Sequence, residues 1–227
     1  ACGASIVRRV ALELGGQRAF VVLDDADLAK AVKVGLGNCF IHAGQTCTAW
    51  TRMLVPAAMY DEALSLLAEG AAKYAVGAPT EDATRVGPLA NANQYKKVRS
   101  YIEQAVAEGA RVVAGGAERP EGLDKGYYVQ PTVLADVKPG ATVEQAEVFG
   151  PVLSVIPYAT EAEAVDLANS PVSGVSGGDL DADRERGVGV GRRARERARA
   201  ASSSRSRARS RDREAGRSRC RACARAR

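Results

Sequence analysis

A chain of 227 residues with 46% hydrophobic side chains carries enough apolar material for one or two domains, yet no stretch approaches the ~18 uninterrupted apolar residues of a membrane span. The net charge of +5 averages two unlike parts: residues 192–227 hold 15 Arg against Glu196, Asp212 and Glu214, a net +12, while the remaining 191 residues sum to −7. The part with core-forming sequence is therefore acidic and unsuited to binding polyanions through its overall field. Five cysteines (Cys2, Cys39, Cys47, Cys220, Cys223), an odd number without regular spacing, argue against a secreted disulfide framework and for a reducing, cytoplasmic setting.

Arg8, Arg9 and Glu13 near the start do not suit a signal peptide, and an initial Ala1 suggests a fragment or a processed product. Ala19 to Leu23 (AFVVL) reads as a strand, with Asp24-Asp25 following where a helix N-cap is expected. Leu28, Ala31, Val32, Leu36, Cys39 and Phe40 then recur at helical spacing, leading to Gly44-Gln45-Thr46-Cys47 on a loop. Thr51 to Val55 predicts a strand stopped by Pro56, Met59 to Tyr74 a helix, Asn91 to Glu108 a helix ended by Gly109, and Arg111 to Ala114 a strand. Tyr127 to Leu134 and Leu153 to Tyr158 read as further strands, and Thr160-x-x-Glu163 is a capping box opening a helix through Leu167. This alternation predicts an α/β fold with a largely parallel sheet flanked by helices. After Gly177-Gly178 the periodicity decays, and from Arg192 onward an Arg, Ala and Ser run has almost nothing to bury.

Two residues stand out chemically. Glu13, in VALELGG, sits in an apolar strand-like context before two glycines. A carboxylate in a partly desolvated pocket has its pKa raised toward neutrality, as a general base requires, although a Glu at a strand end facing water fits the same residues. Cys47 offers the side chain best suited to attack a carbonyl near neutral pH, although free cysteines are more often buried and inert. His42, the single histidine, invites a Cys-His pairing with Cys47. Cys220-Arg-Ala-Cys223 has C-x-x-C spacing but no second ligand pair, so no metal site is expected.

LELGG (Leu12 to Gly16), GQTC (Gly44 to Cys47) and EVFGPV (Glu147 to Val152) occur in the order and at a spacing that resemble the aldehyde dehydrogenase family. Asp24-Asp25-Ala26-Asp27, Thr84 to Leu89 (TRVGPL) and Gly126 to Thr132 (GYYVQPT) extend the resemblance over most of the first 160 residues. The resemblance implies the catalytic domain of that fold, incomplete, over residues 14–180, with residues 1–13 ending a nucleotide-binding domain and residues 181–227 forming a disordered Arg-rich tail. It further implies NAD or NADP as cofactor and a small-molecule aldehyde as substrate. Cys47 would be the nucleophile, its main-chain N–H half of an oxyanion hole, and Glu13 the base that activates water. Glu147 and Phe149, with Leu14 and Gly15, would contact the nicotinamide end.

Members of that family are homo-oligomers, and the strand they use for assembly has no counterpart in the Arg-rich run. His42 stands where the family usually carries Asn. No G-x-G-x-x-G follows a strand, so dinucleotide contacts are confined to the nicotinamide end and activity of these residues alone is expected to be feeble. The alternative is a non-enzymatic fragment whose basic tail binds polyanions nonspecifically, without sequence-specific nucleic-acid recognition.

Overall fold

The computed structural model describes residues 16–171, 176–181, 184–194 and 198–203. Glu13, Leu14 and Gly15, the expected end of a nucleotide-binding domain over residues 1–13, and Cys2, Cys220 and Cys223 lie outside the described residues.

Strand β1 (Ala19–Val22) is buried at all four positions, as an AFVV run flanked on both sides by other strands must be. Asp24-Asp25 form part of a turn closed by Ala26 N–H donating to Leu23 O at 3.1 Å, and the cap is Asp27, whose carboxylate accepts from Lys30 N–H at 3.0 Å. Helix α1 (Leu28–Phe40) thus starts a little later than the Asp24-Asp25 pair suggests, because Asp27 is the acid whose oxygen reaches the third amide of the helix. Its buried stripe is Leu28, Ala31, Val32, Leu36, Cys39 and Phe40, as the spacing predicts.

Strand β2 (Arg52–Pro56) runs parallel to β1, followed by α2 (Tyr60–Ala71) and α3 (Ala92–Ala107). Strand β3 (Arg111–Ala114) is antiparallel to β4 (Thr132–Ala135). The expected strand from Tyr127 shortens to β4, since the preceding segment bonds elsewhere: Leu89 N–H donates to Tyr127 O at 2.8 Å, and Pro131 has no N–H for a ladder. The short helix α4 (Thr142–Gln145) precedes β5 (Val152–Tyr158), and α5 (Glu161–Asn169) is capped by Thr160 Oγ1, which accepts from Glu163 N–H at 3.2 Å.

Beyond Ser170 the chain adds β6 (Ser176–Asp181), α6 (Arg184–Arg193) and β7 (Ala198–Ser203), giving a seven-stranded sheet of order β3-β4-β5-β2-β1-β6-β7 in which every pair except β3-β4 is parallel. Residues 184–193, placed by the sequence in the Arg-rich tail, are therefore helical, with Val190 and Ala194 buried. The helical reading was hidden because three glycines (Gly187, Gly189, Gly191) dilute the periodicity, while Arg186 and Val190, four positions apart, still share the face turned to the protein. Among the described residues no helix is long and apolar enough to cross a membrane.

Candidate active site

Helix α1 delivers the chain to a 3-10 turn at Ile41–Gly44, in which His42, Ala43 and Gly44 all have positive φ (49°, 56° and 71°). This left-handed run reverses the chain sharply, and it carries strain because His42 and Ala43 bear side chains. Gly44 cannot be replaced without displacement: a Cβ there would lie 2.0 Å from Gly150 O. The turn that follows is tied down by Gln45, which donates through Nε2 to His42 O at 3.2 Å and accepts from Ala90 N–H at 2.8 Å through Oε1. Ala49 N–H donates to Thr46 O at 3.1 Å, closing the turn that holds Cys47, and Trp50 N–H donates to Asn38 Oδ1 at 2.6 Å.

Cys47 is exposed on this turn. Cys39, eight residues earlier, is fully buried, donates weakly to Val152 O at 3.4 Å, and burial pushes its thiol far above the ordinary thiol range. Of these two thiols, only Cys47 can meet a solvent-borne carbonyl. His42 is exposed, and among the described residues no hydrogen bond or ion pair joins it to Cys47, so the Cys-His pairing has no support in the geometry. An open groove of about 450 Å³ runs beside the turn, lined by His42, Gln45, Thr84, Arg85 and Pro88 among others.

Glu147 and Phe149 lie on the turn between α4 and β5. Both are partly exposed, and Phe149 has φ 56°. A bulky aromatic in the left-handed region costs on the order of 1–3 kcal/mol, and a Phe placed only to fill the core would not need that backbone. Helix α3 holds this turn. Gln94 Nε2 donates to Val148 O at 2.9 Å and to Phe149 O at 2.8 Å, and Lys97 Nζ donates to Glu147 O at 2.9 Å. Gly150 is pressed against the same helix, since a Cβ on it would lie 2.5 Å from Val98 Cγ2. Gly44 and Gly150 thus bring the Cys47 loop and the Glu147 turn into backbone contact. Glu147 thus offers acceptor oxygens and Phe149 an apolar face, both partly exposed, at the positions that the family resemblance assigns to the nicotinamide end.

Three polar links join this pair of segments to the rest of the sheet. Gln17, 1% exposed, donates to Val143 O at 3.1 Å and to Ala146 O, and accepts from Thr51 Oγ1; it therefore ties the residues after Gly15-Gly16 both to the Cys47 side and to the Glu147 side. Arg52 and Glu144, both buried, pair at 3.0 Å, with Arg52 also donating to Leu167 O (2.8 Å) and Ala168 O (3.2 Å) and Glu144 accepting from Ser170 Oγ (2.7 Å) and Gly140 N–H (3.2 Å). Arg18, 1% exposed, pairs with Glu147 at 3.7 Å. The sequence does not single out any of these four residues. Its one signal is two adjacent polar residues, Gln17-Arg18, leading directly into an otherwise apolar strand.

The family model described as "Aldehyde dehydrogenase family" matches residues 1–196. A 3-succinoylsemialdehyde-pyridine dehydrogenase from Pseudomonas sp. is 46% identical over 174 residues, covering 77% of this chain and 36% of the relative. A solved aldehyde dehydrogenase C mutant from Pseudomonas syringae, in complex with NAD+ and octanal, superposes with a TM-score of 0.85 at 38% identity, over 87% of this chain and 41% of that one. A Mycobacterium tuberculosis aldehyde dehydrogenase complexed with NAD+ gives a TM-score of 0.85 at 39% identity, over 88% and 41%. The chain spans 36% of the length of the curated relative it matches.

Proposed function

Because the chain belongs to the aldehyde dehydrogenase family, we propose that its residues serve the oxidation of an aldehyde to a carboxylic acid with NAD or NADP, Cys47 being the nucleophile. The observation that carries this reading is the exposed Cys47 thiol on a turn whose backbone is locked against the turn bearing Glu147 and Phe149.

The Cys47 thiolate adds to the aldehyde carbon, and the resulting oxyanion is met by the Cys47 main-chain N–H. NAD or NADP, when bound beside Glu147 and Phe149, would supply the hydride acceptor that takes that carbon to the level of a thioester on Sγ. Glu13 then takes a proton from the water that attacks the thioester; the C–S bond breaks, the acid departs and the thiol is regenerated. Glu147 would accept hydrogen bonds from the nicotinamide ribose and Phe149 would pack beside it, while Leu14 and Gly15, assigned to the same contact by the family resemblance, lie outside the described residues. Among the described residues the candidate dinucleotide contacts lie at this end, and steady turnover by these residues alone is expected to be feeble. The surroundings are read as cytoplasmic, where Cys47 stays reduced.

The sensitive assay is a single turnover read by intact mass. With NAD+ and octanal, or the semialdehyde named by the Pseudomonas sp. relative, Glu13→Gln should accumulate the acyl adduct on Cys47, and Cys47→Ala should carry none. An adduct on Cys39 instead, or an adduct that Cys47→Ala retains, overturns the assignment.

A further inference from the structure

Thr84 to Leu89 (TRVGPL) takes no part in the proposed reaction, yet its backbone is firmly held. Arg85 N–H and Val86 N–H both donate to Ala75 O, at 2.8 and 3.0 Å, Gly77 N–H donates to Val86 O at 3.1 Å, and Leu89 N–H to Tyr127 O at 2.8 Å. Val86 is buried and bridged to Val76, whereas Arg85 beside it is exposed. Just past this segment, Ala90 N–H donates to Gln45 Oε1 at 2.8 Å, which ties the segment to the turn that carries His42 and Cys47.

The open groove of about 450 Å³ beside that turn has His42 and Gln45 among its lining from one segment, and Thr84 and Arg85 from the other. The ionisable side chains that line it are Arg85 and His42, both bases, and no carboxylate lines it. Arg18, Arg52, Arg99, Arg111, Arg186 and Arg193 each meet a carboxylate. Arg85 does not: the acids nearest to it in its own segment, Glu81 and Asp82, are exposed, and among the described residues no ion pair joins either of them to it. His42 is exposed on a backbone of φ 49°, a conformation that a residue with a side chain adopts at a cost. A guanidinium fork and an imidazole, which keeps one N–H donor in either neutral tautomer, are suited to the oxygens of an anion. The groove is also large enough for several carbon atoms besides the charged group.

We propose that this groove is a binding site for a small organic oxyanion, whose charged group is held by Arg85 and His42. One source of that group is the far end of an aldehyde that Cys47 attacks; the other is a separate anion that occupies the groove by itself. The site stands on its own lining residues and does not depend on the role of Cys47.

His42 is the single histidine of the sequence, so in the untagged full chain its imidazole Cε1–H gives one NMR signal that reports on the groove. At pH 7, with ionic strength held constant by chloride, succinate or inorganic phosphate should move that signal along a saturating curve. A Kd on the order of 1 mM is expected for an exposed, ion-screened site. The neutral succinamide should leave the signal in place. Arg85→Gln removes the charge and the fork from an exposed position and should weaken succinate binding roughly ten-fold. Lys125→Gln removes the same charge from an exposed position outside the groove and should leave the curve unchanged.

The source of the anion is read at Cys47 by intact mass, with NAD+ and either 4-oxobutanoate or its uncharged counterpart butanal. A faster adduct from 4-oxobutanoate, slowed by Arg85→Gln and by added succinate, assigns the group to the substrate. Adduct rates that ignore both, with the saturating His42 shift intact, assign it to a separate anion. A His42 signal that moves linearly with any salt, or that saturates alike in Arg85→Gln and the parent, overturns the site. If neither aldehyde leaves an adduct on Cys47, the nucleophile reading fails, and the His42 titration still decides the groove.

Discussion

The two flanks of the sheet are held by different means. Strands β1, β2, β4 and β5 are buried at nearly every position, and the buried polar groups within them are engaged: Arg52 with Glu144 and two carbonyls, Thr132 Oγ1 with Gln130 O at 2.8 Å. Strands β6 and β7 read SGGDLD and ARAASS, sequences poor in the β-branched and aromatic residues that favour strands. Helix α6, which joins them, is pinned at its surface by Arg186, which bonds Asp24 at 2.7 Å and Glu161 at 3.0 Å. The described part of the candidate site sits on the first flank. The proposed nucleophile and cofactor turn would need positions fixed by packing, which the buried strands of that flank supply.

Breaking the Arg52–Glu144 pair should expose this contrast most strongly. Arg52→Leu leaves Glu144 buried and charged, so it should cost about 3–5 kcal/mol of stability, read as a shift of the urea midpoint at unchanged slope. A fall of less than 1 kcal/mol would mean that the pair adds nothing to the flank that carries the site. Replacing both partners by apolar residues should recover much of the loss, because a well-packed apolar pair avoids the desolvation of two charges.

A smaller effect is expected where backbone meets backbone. Gly44→Ala puts a Cβ where only 2.0 Å separates it from Gly150 O, and at φ 71° the residue would be strained even with space around it. Left-handed strain and overpacking together should cost roughly 3 kcal/mol. The change should also alter the alkylation rate of Cys47 while Cys39, on the buried face of α1, stays unreactive. Parent-like labelling of Cys47 in this variant would show that the Gly44–Gly150 contact does not place its thiol.

The same contrast decides what could be read from the sequence. Strands AFVV and VLSVIPY and the helix stripe through Leu28 and Phe40 are legible because their apolar spacing reports the face they bury. Cys47, Glu147 and Phe149 are legible only as motifs, since nothing in an isolated Glu or Phe announces a turn with positive φ. Gln94 and Gln17 escape altogether: a Gln near a helix start or beside a strand looks solvent-facing until the carbonyls of a segment 54 or 126 positions away are seen to meet it. Helix α6 escapes for the opposite reason. Its surface anchoring comes from Asp24 and Glu161, far from it in the chain, and Val190 is its one large buried apolar side chain among the described residues, so its own sequence reads as basic low complexity.

That electrostatic anchoring gives the smallest effect and the one most sensitive to conditions. Arg186 is partly exposed, its partner Asp24 more so, and pairs of that kind are worth under about 1 kcal/mol and weaken with salt. Arg186→Ala should therefore leave the global urea midpoint almost unchanged while raising hydrogen exchange within residues 184–193. Acid should do the same to the parent chain. The hydrogen bond from Arg186 holds the carboxyls of Asp24 and Glu161 below their ordinary values. For an acid whose pKa is lowered by folding, the stabilisation is fully present above its unfolded value and fades as pH falls through the folded one. Contact of α6 with the sheet should accordingly be constant from neutral pH down to the ordinary carboxylate range and loosen below it, after correction for intrinsic exchange. In Arg186→Ala that acid step should shrink, and in Arg186→Ala/Arg193→Ala it should vanish, since Arg193 also pairs with Glu161 and lowers its pKa. If the double variant keeps the step, carboxylates other than Asp24 and Glu161 hold the weaker flank, and the division of the sheet into a packed half and a charge-pinned half would have to be redrawn around them.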